Sequence, residues 1–229
     1  MIGYRTRLQT VMVGDMQFEI QSLLDPEQYH DPDGVAARLG IDADNWALFG
    51  QVWPSSMILA EALLEMDLVG KTVLELGAGL ALASLVAQRR GAQVIVSDYH
   101  PLIPTFLETN AQLNGMRPLR YRAANWSSAL PELGRFDLII GSDLLYHGSH
   151  PRALANAIDY YSTDQVQVLI VDPDRGHARQ FCAEMDELEY RLERSSASRQ
   201  LGNGEPYRGS LLRFTRDDDA LPEFSGRAA

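Results

Sequence analysis

At 229 residues, with 31 acidic against 20 basic side chains and a net charge of −11, the chain has the size of one generous domain. Its charge is wrong for a nucleic-acid binder, which needs concentrated Lys and Arg. A single cysteine, Cys182, excludes an internal disulfide framework and fits a reducing, cytoplasmic setting; no stretch has the basic-then-apolar form of a signal peptide, and no run approaches the ~20 apolar residues of a membrane span.

In chain order, Arg5 to Met12 and Met16 to Ser22 are β-leaning runs around Gly14-Asp15 and predict a hairpin. Residues 25–34 are turn-rich, and a short helix follows at Val35–Leu39. From Ser56 to Met66 the apolar residues fall largely at helical spacing, with Pro54 and the serines after it as starting residues. The core then alternates. Strands are predicted near 72–76, 93–97, 119–123, 136–141 and 166–171, and helices near 80–90, 103–114, 151–160 and 176–187. That rhythm means a parallel sheet covered on both faces. Two further β-leaning runs, 189–197 and 207–215, are joined by Gly202-Asn203-Gly204 and predict an antiparallel hairpin at one edge. The expected fold is therefore α/β, a doubly wound, mostly parallel seven-stranded sheet. It divides into an N-terminal hairpin and turn-rich extension (1–45), a core (46–216) and a flexible tail (217–229).

Thr72-Val-Leu-Glu-Leu-Gly-Ala-Gly79 is the most informative segment. Gly77 and Gly79 let the backbone turn sharply after a buried strand, and a helix N-terminus at about Leu80 places free N–H groups beside them. Asp98 ends the next apolar run, where a carboxylate accepts hydrogen bonds from a ribose diol. Two adenosine-bearing ligands fit. A dinucleotide wants a third glycine at position 82, which is Leu. Glu75 at the strand mouth repels a pyrophosphate but can take the cationic amino group of a methionine moiety. The bland alternative is a crossover whose glycines only shape a turn.

Glu-x-Gly-x-Gly followed by an acid after the next strand resembles the first motifs of a class I S-adenosylmethionine (SAM) methyltransferase. Asp143-Leu-Leu-Tyr146 after the fourth strand is similar to the Asp/Glu-x-x-Tyr branch of these seven-β-strand enzymes, the lysine methyltransferase-like family 16. Phe49-Gly-Gln-Val-Trp53-Pro54, Asn110 and Asn114, Asn125-Trp126 and Asp172-Pro-Asp-Arg175 match further segments of that branch, so the resemblance covers roughly residues 46–176. It implies a SAM site built from Trp53, Glu75, Gly77, Gly79 and Asp98, with Asn125 and Trp126 at the adenine. Asp143 and Tyr146 would position the acceptor, and no metal is implied. There are departures. Ala81 replaces a third glycine, which is tolerable where the helix has already begun, and Asn125 replaces an acid whose adenine bond an amide can still make.

The implied activity is N-methylation, with a protein lysine as the favoured acceptor and a small-molecule amine or heteroaromatic nitrogen as the alternative. A monomer is expected, with neither nucleic acid nor membrane as partner. A non-catalytic binding module would have lost Glu75, Gly77 or Asp98, and a nicotinamide reductase is disfavoured by Leu82 and Glu75. His147 and His150 stand three apart without a second ligand cluster, which points to a surface or capping role rather than a metal. His100 is placed in a loop near the ribose. Arg175 suits either a substrate carboxylate or an ion pair with Asp172 or Asp174.

Overall fold

The computed structural model describes residues 3–126, 128–201 and 206–216. Its elements, in chain order, are β1 (Thr6–Val13), β2 (Met16–Leu23), α1 (Val35–Arg38), α2 (Ala43–Trp46), α3 (Pro54–Ala62), β3 (Thr72–Leu76), α4 (Leu82–Arg89), β4 (Gln93–Asp98), α5 (Ile103–Leu113), β5 (Arg120–Ala123), β6 (Phe136–Ser142), α6 (His150–Tyr161), β7 (Ser162–Asp172), α7 (Ala178–Glu187), β8 (Arg191–Ser196), β9 (Arg199–Gln200), β10 (Pro206–Tyr207) and β11 (Ser210–Arg216). Single 3₁₀ turns at Leu48–Gly50 and Leu63–Glu65 flank α3.

Seven strands form one sheet in the order β5-β4-β3-β6-β7-β11-β8. Pairings among β5, β4, β3, β6 and β7 are parallel; β11 runs antiparallel to both β7 and β8. The alternation of strand side chains sorts the core into two layers. Val73, Val96, Leu138, Ile140 and Val171 pack toward α3, α4 and α5. Leu74, Ile139, Val168 and Ile170 pack toward α6 and α7. Strands with both faces covered are apolar almost throughout, which is why they stand out in the sequence.

The β1–β2 hairpin is a separate two-stranded sheet, but its inward residues Val11, Val13, Phe18 and Ile20 join the α3–α5 core layer. It is tied there by two side-chain amides of α5. Asn110 Oδ1 accepts from Gln21 N (2.8 Å) and its Nδ2 donates to Gln21 O (3.3 Å). Asn114 repeats the pattern on Glu19 (2.9 and 2.8 Å). The open edge of β2 thus meets the donor and acceptor that a neighbouring strand would offer.

Two boundaries differ from expectation for physical reasons. β7 begins at Ser162 rather than 166, because Ser162–Gln165 are polar residues joined to β6 through an irregular register between Phe136 and Leu138. Helix α4 begins at Leu82, not 80, because Ala81 is left-handed (φ 56°) and serves as its N-cap. The stretch 43–65 is long and apolar enough by composition to cross a membrane. It is broken here into α2, α3 and their flanking 3₁₀ turns, and lies against the core and the cavity described below. The Gly202-Asn203-Gly204 turn and the tail 217–229 lie outside the described residues.

Candidate active site

The C-terminal ends of β3 to β7 open into one cavity of about 450 Å³. It sits where the strand order turns back on either side of β3, the place where open parallel sheets bind ligands. Its volume falls within the ~300–1,000 Å³ of small-molecule sites.

Gly77, Ala78, Gly79, Leu80 and Ala81 form one wall. Gly77 and Gly79 have φ of 57° and 51°, where a side chain is strained. Space forbids one as well: a Cβ on Gly77 would lie 2.5 Å from Leu144, and one on Gly79 2.9 Å from the Phe49 carbonyl oxygen. The glycine turn therefore packs directly against Leu144, Trp126 and Phe49, which line the same cavity. Asp98 faces the cavity from the tip of β4 and locks this turn in place. Its Oδ2 accepts from Gly79 N (3.0 Å), and its Oδ1 from Tyr99 N (2.6 Å) and His100 N (3.2 Å). Burial raises its carboxyl above the usual range, and these three N–H groups counter that. A carboxylate has about four lone-pair sites, so acceptor capacity remains for a ligand hydroxyl.

Glu75 does not line the cavity. It stands one layer behind the glycine wall, 2% exposed, and accepts from Ser84 N (2.9 Å) in the first turn of α4. Burial pushes its carboxyl up to about 7. The tolerance argued for Ala81 also fails in its stated form: the helix has not begun there, and the residue takes up the left-handed backbone a glycine would adopt more easily.

Trp53, Asn125 and Trp126 all reach the cavity. Trp53 is fixed by its indole N–H donating to Leu48 O (2.8 Å). Asp143 and Tyr146 enter from the loop after β6. Asp143 is itself left-handed (φ 55°), with its N–H donating to Val171 O (2.9 Å). Its carboxylate pairs with Arg175 (3.0 Å) rather than leaving that arginine to Asp172 or Asp174. Asp174 pairs instead with Arg194 (2.9 Å). Burial raises the Asp143 carboxyl and Arg175 lowers it. Tyr146 is 41% exposed at the mouth; its phenol is pushed well up by burial, then by Tyr99 and the acids Asp98 and Asp143.

Among the further cavity residues are Tyr99 and His150, which the sequence did not mark as site members, and His100, which it placed near the ribose. Tyr99 follows the ribose-type acid directly. His100 stacks on Phe49 (centroids 3.9 Å apart, 17°), and burial lowers its imidazole to about 4. His150 stands edge-on to Tyr146 (4.6 Å) and Trp126 (5.7 Å), its Nδ1 2.7 Å from Leu144 O. The signal was positional: each lies within two residues of a strand's carboxyl-end loop or opens the helix leaving it.

The chain is 31% identical to the mouse electron transfer flavoprotein beta subunit lysine methyltransferase over 134 residues, covering 57% of this chain and 51% of the relative. It is 32% identical to the protein N-lysine methyltransferase METTL21A of Xenopus tropicalis (56% and 63% covered). It is also 36% identical to the human histone-arginine methyltransferase METTL23 (42% and 54%). It thus spans between half and two thirds of the length of these relatives. Among solved structures, the fold matches the T. thermophilus 16S rRNA N2 G1207 methyltransferase, in complex with AdoMet and guanosine, at a TM-score of 0.63 and 18% identity (92% of this chain, 50% of that one). It matches a Lactobacillus ribosomal protein L11 methylase at 0.58 and 20% (71% and 78%). The family model described as lysine methyltransferase matches residues 38–187, which include the glycine turn, Asp98, Asp143 and Tyr146: the chain belongs to the lysine methyltransferase family.

Proposed function

We propose that this chain is a SAM-dependent N-methyltransferase whose acceptor is a lysine side chain of a protein. The observation that carries this is a single cavity with a ribose-type carboxylate, Asp98, on the β4 loop and an acid–phenol pair, Asp143 and Tyr146, on the β6 loop. The lysine acceptor is supported by the names of two of the relatives above. The residues fit the cofactor: a glycine turn for close backbone approach, Asp98 for the diol, and aromatic walls at Trp53 and Trp126 for the flat base.

When bound, SAM supplies an electrophilic methyl group on sulfur. The chain's residues supply alignment and exclusion of water. Asp98 fixes the nucleoside end and, through Gly79 N–H, the wall beside it. Asp143 orients the acceptor nitrogen as a hydrogen-bond acceptor. Tyr146 lines the approach, and its raised phenol stays protonated at neutral pH. The Arg175 guanidinium paired with Asp143 offsets the pull that this carboxylate would exert on an ammonium.

Incubating the protein with methyl-tritiated SAM and cell lysate tests the reading: label in a discrete protein band, recovered as methyl-lysine on hydrolysis, is the expected result. Label confined to small molecules would favour an amine metabolite instead. Asp143→Ala is expected to cut turnover by about 10²-fold or more and Tyr146→Phe by less, with SAM affinity within a few-fold of wild type in both. Parallel loss of SAM affinity and melting temperature would show that the pair only braces its loop.

A further inference from the structure

We infer that His150, the first residue of α6, is the proton acceptor that frees the substrate amine for attack; this rests on the N-methyltransferase reading above. A lysine arrives as an ammonium and cannot attack until it loses a proton. The cavity must therefore hold a group with a free lone pair. Among the described residues its titratable side chains can be taken one by one. Asp98 accepts from three backbone N–H groups, and its remaining acceptor capacity serves the ribose hydroxyls. Asp143, ion-paired with Arg175, is assigned to orienting the acceptor nitrogen rather than to carrying its proton away. Tyr99 and Tyr146 are held protonated by burial. His100 Nδ1 accepts from Leu102 N (3.2 Å), so the neutral ring carries its proton on Nε2 and has no spare lone pair. Asp44 is an exposed residue on α2, outside the five strand-end loops.

His150 differs. Its Nδ1 lies 2.7 Å from the Leu144 carbonyl oxygen, which can only accept. The neutral ring must therefore hold its proton on Nδ1, leaving Nε2 bare. No hydrogen bond occupies Nε2 among the described residues, and it is not among the sealed, unpartnered polar atoms. The ring is half-buried, lines the cavity and stands edge-on to Tyr146 and Trp126. The ring thus stands beside Tyr146 of the acid–phenol pair, in the cavity that also holds Asp143. Burial holds the imidazole below its ordinary value. His147 on the same loop and His177 before α7 add to this, and the Leu144 carbonyl opposes it. The remaining charges around it are Asp143 and Arg175 in the cavity and the Arg152–Glu184 pair between α6 and α7.

The step balances as follows. An N–H bond of the ammonium breaks, the proton moves to Nε2, and the nitrogen keeps the electron pair. That pair forms the new N–C bond as the S–C bond of the sulfonium breaks, its electrons remaining on sulfur. The imidazolium then returns its proton to solvent. An ordinary ammonium is a weaker acid than imidazolium, and the positive charge of a bound sulfonium narrows that gap by repelling the protonated amine.

The test compares wild type, His150→Gln and His150→Ala, using tritiated SAM and the protein band labelled by the wild type in lysate. Between pH 7 and 8 His150→Gln should transfer label on the order of 10²-fold more slowly, with calorimetric SAM affinity unchanged. The deficit should shrink toward pH 10, where free amine exists without a base. Added imidazole should partly restore His150→Ala. Long-range proton–nitrogen NMR of the wild type should show Nδ1 protonated and Nε2 bare at neutral pH. The opposite tautomer, a deficit constant with pH, or a wild-type rate in His150→Gln would each overturn the proposal. A wild type that labels no acceptor would instead overturn the methyltransferase reading, and the proposal with it.

Discussion

The Glu75 carboxylate is buried and lies outside the cavity lining. Its position at the strand mouth suggested a hand held out to a cationic ligand; the structure gives that carboxylate to the Ser84 N–H behind the glycine wall. The Ser84 hydroxyl steadies the charge but makes no well-formed hydrogen bond. Its rise from 4.5 to about 7 sets a sign. The folded state holds the proton more tightly than the unfolded one, so Glu75 favours folding at acid pH, and that contribution is lost as pH climbs from about 4.5 to 7. His100, lowered to about 4, works oppositely: its contribution is complete above about 6.5 and disappears as pH falls toward 4. Glu75→Gln keeps an oxygen for Ser84 N–H and offers an N–H to the idle Ser84 hydroxyl. In thermal melts the variant should gain on wild type from pH 5 to pH 8, by roughly 3 kcal/mol at most. An offset equal at both pH values would show that Glu75 titrates as an ordinary carboxylate.

Among elements, the strands of the sheet were legible and the helix starts less so. Thr72–Leu76 and Gln93–Asp98 announced themselves through the apolar runs Val73-Leu74 and Val94-Ile95-Val96, each bounded by polar residues. The start of α4 was missed because nothing about Ala81 as a residue type signals a left-handed turn; tertiary packing imposes it. The Arg175–Asp143 pair and the cavity face of His150 depend on which loops meet in space, which spacing along the chain does not encode. The link between α5 and β2 is of the same kind. Asn110 and Asn114 were visible as a recurrence, yet only the structure shows their amides bonding the hairpin edge. Asn110→Ala leaves the Gln21 N–H and carbonyl without partners and should lower stability by about 2 kcal/mol. Amide exchange at Glu19 and Gln21 should quicken more than in β3. An unchanged melting temperature with unchanged exchange would mean that the apolar face alone holds the hairpin.

At the level of the whole molecule the net charge of −11 bears on encounter rather than on fold. Residues 1–45 carry eight acids against three arginines, and this segment contributes Ile41, Asp44 and Asn45 to the cavity wall. A basic protein acceptor should be drawn in electrostatically, so kcat/KM for it should fall several-fold between about 50 and 300 mM salt. A response no steeper than that of SAM binding would remove the acidic surface from the recognition. The sheet carries a different consequence. β11 is the last described strand, yet it is inserted between β7 and β8 and, among the described residues, is the only partner of β8 in the sheet. Until β11 is inserted during folding, the chain has a β7 whose outer edge is bare and a β8 without its sheet partner. That intermediate is open to pairing with a neighbouring chain, so refolding yield should fall as protein concentration rises, and a substitution that weakens β11 should steepen that fall.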